Sequence, residues 1–531
     1  MLKVKNPILP GFHPDPSICR VGDDYYLATS TFQWFGGVEL YHSKDLVNWE
    51  HLPSPLSRVS QLDMRGDPNS GGVWAPCLTY CDGMFYLIYT NVTNFHGNLK
   101  DTHNYLVTTT DIRGEWSDPI YLNSSGFDPS LFHDDDGKKY LLNMKWDHRE
   151  GTNFFAGILI QEYSPTEKKL IGKPTNIFRG TYAGGTEGPH MYKHDGYYYL
   201  FVAEGGTGYY HGIQMARSKT LLGEYEVDPQ PVLTAKHNPE SYLQRTGHGA
   251  LVDSPNGDLF VTFLCGRPIT LENQKRRSML GRETCIAPVF WNEDGWLRLK
   301  TGGIVPPVEF EVDKQEYKFP TDPLFDDFDE PTLPLHFKTL RLPFTKEIGS
   351  LTERKGCLRL VGNESITSWN KQSLVARRIQ HFHMAAITEM EFSPETLQQM
   401  AGLTVMYDTY NFFYLYLTKD EESGQNALRI LVRDNLKFYN PIEGGCVLIG
   451  ENNHVWLKAE RKDTTLTFSF SLDGESFQNI GGNLDCSNMA DEAYGEIGHE
   501  GHTGPFVGMA CQDLTGEHFC ADFFNFSYVV K

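Results

Sequence analysis

The chain has 531 residues, a formal net charge of −21, 13% aromatic residues and 50 glycines. That length exceeds one ordinary core and predicts two or three domains. The acidic balance repels a phosphate backbone, and no basic face with interleaved aromatics offsets it, which argues against nucleic acid as a partner; no apolar run long enough for a helical span occurs, so no membrane role is expected either.

The start of the chain, Met1-Leu2-Lys3-Val4-Lys5-Asn6-Pro7, lacks the continuous apolar stretch of a signal peptide, which leads to the expectation of a soluble cytoplasmic protein. Ten cysteines are scattered without a regular framework and read as reduced thiols. Cys77 and Cys81 have no second pair at zinc-like spacing, so they read as packing residues.

From Gly11-Phe12-His13-Pro14-Asp15-Pro16-Ser17 onward the chain repeats a strand, a tight turn and a strand. The turn at Gly22-Asp23-Asp24 is followed by Tyr25-Tyr26-Leu27-Ala28. Asp82-Gly83, Asp136-Gly137, Asp195-Gly196 and Asn256-Gly257 precede similar apolar runs. The aromatic anchors Tyr26, Tyr86, Tyr140, Tyr199 and Phe260 lie 60, 54, 59 and 61 residues apart. Radial repetition of small antiparallel sheets gives such a period, so the first part of the chain is predicted to be a five-bladed β-propeller. The run His133-Asp134-Asp135-Asp136-Gly137 lacks the later acidic ligand of a calcium loop and reads as a hairpin turn.

After Trp296 the pattern changes, and Pro306, Pro307, Pro320 and Pro323 mark a boundary. The expected division is a propeller over 1–305, a linker over 306–325 and a second domain over 326–531. Alternating segments such as Leu358–Val361, Leu403–Leu417, Val455–Ala459 and Leu466–Leu472 predict a β-sandwich for that domain, making the whole chain all-β.

Counting back eleven or twelve residues from each anchor gives Asp15, Ala75, Asp128, Glu187 and His248. Equivalent positions in a propeller form a ring about its axis, so three acids distant in sequence should meet. One acid alone is usually a turn or capping residue. Three like charges brought to one axis cost free energy unless function uses them. Inverting cleavage of a glycosidic bond needs a carboxylate that activates water and a protonated carboxyl that supplies the leaving oxygen with a proton.

Gly11-Phe12-His13-Pro14-Asp15-Pro16-Ser17, Gly126-Phe127-Asp128-Pro129-Ser130 and Thr186-Glu187-Gly188-Pro189-His190 resemble the three signature stretches of glycoside hydrolase family 43. The likeness extends through both domains, to members with a concanavalin-like sandwich. It implies Asp15 as general base, Glu187 as general acid, and Asp128 as the residue that orients Glu187 and raises its pKa. It further implies substrate contacts from Phe32, Trp74, Ala75, Trp146, His248 and Arg282, and a sandwich loop that carries Phe506 to the propeller mouth. No cofactor is needed for the acid–base chemistry, although the resemblance leaves room for calcium or another divalent cation beside His248 in the central channel.

The function expected is an inverting exo-glycosidase that releases xylose from short xylo-oligosaccharides, with α-L-arabinofuranosidase activity as an added option. An endo-arabinanase-like hydrolase and a non-catalytic carbohydrate-binding propeller stay open as alternatives, and so does homo-oligomer formation.

Overall fold

A computed structural model describes residues 1–531. Five antiparallel units, four of them four-stranded and the blade-four unit five-stranded, succeed one another from Ser17–Val21 to Leu297–Leu299, and each is built from its own stretch of chain. The five aromatic anchors all lie on the second strand of their blades. Ahead of them, Asp82-Gly83 and Asp195-Gly196 have positive φ at both turn residues, the geometry whose twist matches a two-residue hairpin.

No blade is shared between distant parts of the chain, so the ring closes in another way. Leu2–Lys5 pairs antiparallel with Glu309–Val312, and Leu9 bridges Thr284 of blade five. Between them, the Asn6 side chain donates to the Ile286 carbonyl at 2.8 Å and accepts from the Ile286 N–H at 2.9 Å. The proline-rich stretch 306–325 therefore supplies a strand to the closure, beyond linking the two domains.

Two eight-stranded sheets form the sandwich. The alternating run Leu403–Leu417 is divided into Gln399–Met406 and Phe412–Lys419. The cause is Asp408, whose carboxylate accepts the N–H groups of Tyr410 at 2.7 Å and Asn411 at 3.1 Å and so closes a turn.

A buried polar and aromatic interface fastens sandwich to propeller. Glu39 of blade one faces Lys338 at 2.6 Å and Arg378 at 3.2 Å, and Arg378 also donates to the Phe12 carbonyl at 2.7 Å. Asp491 and Glu492, on the one short helix, Asp491–Gly495, receive Arg245 at 2.7 and 3.4 Å. Glu492 further accepts from the Ser278 hydroxyl at 2.7 Å. These contacts hold the segment that follows the helix, residues 496–505, against the propeller mouth.

Candidate active site

Asp15, Ala75, Asp128, Gly188 and His248 stand within the innermost strands or two residues ahead of them, and all five have positive φ, from 25° at Ala75 to 56° at Asp15 and Gly188. The ring position of blade four is thus Gly188, and Glu187 stands one residue ahead of it. A side chain at 188 would collide with the His248 ring, whose Cε1 would lie 3.0 Å from its Cβ. Glycine there lets His248 approach, while Glu187 supplies the carboxyl from the neighbouring position.

The ring opens into a cavity of about 270 Å³ whose wall includes all three acids, Phe32, Trp74, Trp146, His248 and Arg282. Phe32 has φ of 54°, unusual for a bulky residue. Reciprocal backbone hydrogen bonds with Val73, at 3.0 and 3.1 Å, hold it there and join blades one and two. The Trp74 indole donates to the Ser70 carbonyl at 2.8 Å and that of Trp146 to the Asn98 carbonyl at 2.7 Å, so both rings are fixed before a sugar arrives.

Two expected residues lie elsewhere. Ala75 faces a pore of about 10 Å³ beneath the carboxyls, lined also by Pro76, Pro129, Pro189 and His190, which is room for about one water. Phe506 is fully buried. It begins a central sandwich strand, Phe506–Asp513, and stacks on Trp34 with ring centroids 3.8 Å apart. An apolar alternation that continues through Val507 and Met509 makes it a strand residue, and its inward neighbour is an aromatic of blade one.

The sandwich does reach the cavity, through Glu500 and His502. His502 is pinned at both ends of its peptide: its N–H donates to the Ser70 hydroxyl at 2.9 Å, and its carbonyl accepts from Arg282 at 2.9 Å. Glu500 lies 3.7 Å from the His502 ring nitrogen, and His502, with Lys100 and His96 beyond it, holds the Glu500 carboxyl down at about 2. Lys100 stands over the Trp146 ring at 4.6 Å and also lines the cavity. No motif singles out these residues, since their meeting depends on the docking of the two domains. Phe127, another wall residue, does carry a signal, as the immediate neighbour of Asp128 in a repeated Gly-Phe stretch.

The electrostatics separate the acids. Burial pushes the Asp15 carboxyl up, but Arg282, His248 and the Ser30 hydroxyl outweigh it and hold the group below its ordinary value. Arg282 donates to Asp15 at 3.0 Å, and Ser30 donates to its other oxygen. Asp15 is ionised at neutral pH. Glu187 goes the other way, raised to about 8 by burial and then by the charge of Asp15. Asp128 is raised by burial, then by Glu187 and Asp15. These two buried groups cannot both ionise near Asp15, so the pair retains a proton through neutral pH. The elevation of Glu187 thus comes first from burial and Asp15. Asp128 acts on its backbone, accepting the Gly188 N–H at 3.0 Å.

His248 Nδ1 lies 4.0 Å from Asp15 and 3.9 Å from Asp128. Burial lowers its pKa more than Asp15 raises it, so it is a neutral imidazole facing two carboxyls. No three His, Cys, Asp or Glu side chains are arranged to hold a metal ion directly. No chemical step is assigned to a cation beside His248.

A family model described as "Glycosyl hydrolases family 43" matches residues 4–297. The chain belongs to that family. A second model, for the beta xylosidase C-terminal concanavalin A-like domain, matches residues 325–529. Among relatives of this family 43 enzyme, the beta-xylosidase of Bacillus subtilis is 48% identical over the full length of both chains. The xylosidase/arabinosidase 43B of Humicola insolens is also 48% identical, over 99% of this chain and 98% of the other. The crystal structure of a xylan beta-1,4-xylosidase from Bacillus halodurans superposes with a TM-score of 0.96 at 51% identity, covering 99% and 100% of the two chains. Family 43 enzymes invert, and this chain is an inverting glycoside hydrolase.

Proposed function

We propose that the protein is an exo-acting β-xylosidase that removes single xylose units from the non-reducing ends of short β-1,4-xylo-oligosaccharides. The observation that carries this reading is the small cavity, walled on one side by the sandwich. At about 270 Å³ it falls just below the usual 300–1,000 Å³ of ligand sites, and the sandwich residues Glu500 and His502 wall one side of it. A pocket of this size with one side walled takes a terminal sugar and excludes the middle of a chain. An endo-acting arabinanase needs an open groove instead, and a merely binding propeller has no use for an ionised and a protonated carboxyl held against each other.

In this mechanism the ionised Asp15 takes a proton from a water as that water attacks the anomeric carbon, and Glu187 gives its proton to the departing oxygen. Arg282 keeps Asp15 ionised, and its buried Nε has no partner within the protein, which leaves it for a sugar hydroxyl. Asp128 fixes the backbone that carries Glu187. The acid–base steps use no cofactor. Short oligosaccharides as substrates suit a cytoplasmic enzyme, the location we propose.

Arabinofuranosidase activity is a second reading favoured by the names of two relatives, the Humicola insolens enzyme and a non-reducing end alpha-L-arabinofuranosidase of Bacteroides ovatus that is 35% identical over 95% of this chain. Initial rates on nitrophenyl β-xyloside and α-arabinofuranoside, together with the products from xylohexaose, test both. The β-xyloside is expected to be the faster substrate, and xylohexaose should yield xylose and xylopentaose first. Early xylobiose and xylotriose would refute exo cleavage.

A further inference from the structure

His211 takes no part in the roles assigned above. It ends the loop between the second and third strands of blade four and is 1% exposed. It nevertheless forms part of the cavity wall, with Asp15, Thr207, His248 and Arg282. Neither of its ring nitrogens has a hydrogen-bond partner within the protein. Buried polar groups are almost always paired, because an unpaired one carries its desolvation cost without return.

The local backbone is shaped around this ring. A Cβ at Gly247 would lie 2.1 Å from the His211 Cδ2 and 2.5 Å from its Nε2. The imidazole therefore occupies the space of a side chain at 247, directly before the ring position His248. Its own peptide is held at both ends, the N–H donating to the Gly208 carbonyl at 3.2 Å and the carbonyl accepting the Thr234 hydroxyl at 2.6 Å. A ring retained only for packing would be served by an apolar side chain, which carries no unmet nitrogens.

Burial, followed by His248, Arg282 and Arg245, pushes the imidazole down to about 3. Buried beside the Arg282 and Arg245 cations, the ring stays neutral across the working range of the acid and base. A neutral imidazole has one nitrogen that donates and one that accepts. That is the complement of a sugar hydroxyl, which also does both.

We propose that His211 is a substrate-binding residue whose ring hydrogen-bonds the hydroxyls of the terminal pentose and so selects sugars that carry them at the matching carbons. The assignment rests on the xylosidase reading. It adds a specificity contact on the blade-four side of the cavity, across from the aromatic wall formed by Phe32 and Trp74.

The test is a coupling experiment with nitrophenyl β-xyloside and its 2-, 3- and 4-deoxy analogues, on wild type and His211→Ala. His211→Ala should lower kcat/KM on the parent xyloside by about tenfold to a hundredfold. On at least one deoxy analogue the two proteins should then agree within about twofold, since the lost contact is the same one. His211→Asn, which keeps a donor and an acceptor, should recover part of the loss, and it also serves if the alanine variant does not fold. Both limbs of the pH profile should stay in place. An equal loss on the parent and on all three analogues would overturn the assignment, as would a shifted limb. A wild type inactive on the parent xyloside would instead overturn the xylosidase reading, and this contact with it.

Discussion

Asp15→Asn and Glu187→Gln are each expected to lower kcat/KM on xylobiose by about 10²–10⁴, the range for loss of one acid or base partner. The two variants should differ in how the loss depends on the leaving group. A dinitrophenolate departs without a proton, so Glu187→Gln should retain much of its activity on dinitrophenyl β-xyloside, whereas Asp15→Asn should be equally impaired on both substrates. The wild-type pH profile follows from the same pair. Glu187 works protonated and its pKa is raised to about 8, so activity on xylobiose should fall as the pH rises through about 8. Asp15 works ionised and its pKa is lowered, so the acid limb should lie below the ordinary aspartate value of about 3.9. On the dinitrophenyl substrate, which needs no proton from Glu187, that alkaline limb should be absent in the wild type and in Glu187→Gln alike. Equal losses for the two variants on both substrates would contradict the division of labour.

Phe506→Ala should have the largest effect on stability, about 3–5 kcal/mol in urea unfolding, the cost of emptying a fully buried aromatic site. Phe506 is 0% exposed, its ring lies against Trp34 at 3.8 Å, and the Arg378 guanidinium stands 5.4 Å from its centroid. The cavity left behind would open at the seam between the domains, where Arg378 also bonds Phe12 and Glu39, so those polar contacts give little room to collapse. The strand it begins follows directly on the segment bearing Glu500 and His502, so KM for xylobiose should rise as well. A stability within about 0.5 kcal/mol of wild type, the ordinary range for surface changes, would show that the seam does not depend on this residue.

Much of this was legible in the sequence because propellers repeat. The spacing of Tyr26, Tyr86, Tyr140, Tyr199 and Phe260 marks the blades, and Asp15, Asp128 and Glu187 follow from position within them. Spacing alone does not reveal that Gly188, and not Glu187, takes the left-handed ring conformation. That offset comes from the approach of His248, a contact between blades. The other gaps share this origin. Glu500 and His502 reach the cavity because Arg245 and Ser278 hold the helix before them, and His211 is seated by the absence of a side chain at Gly247. Phe506 was misplaced for a related reason. A glycine-rich segment followed by an aromatic looks like a projecting tip, and only the partner across the seam, Trp34, shows that the ring points inward.

The most direct measurement is the anomeric configuration of the first sugar released. With opposed carboxyls and water attacking from the Asp15 side, nitrophenyl β-xyloside should give α-xylose first, seen by proton NMR before mutarotation mixes the anomers. β-Xylose appearing first would mean a covalent intermediate on the enzyme and would contradict the role of Asp15 as a base.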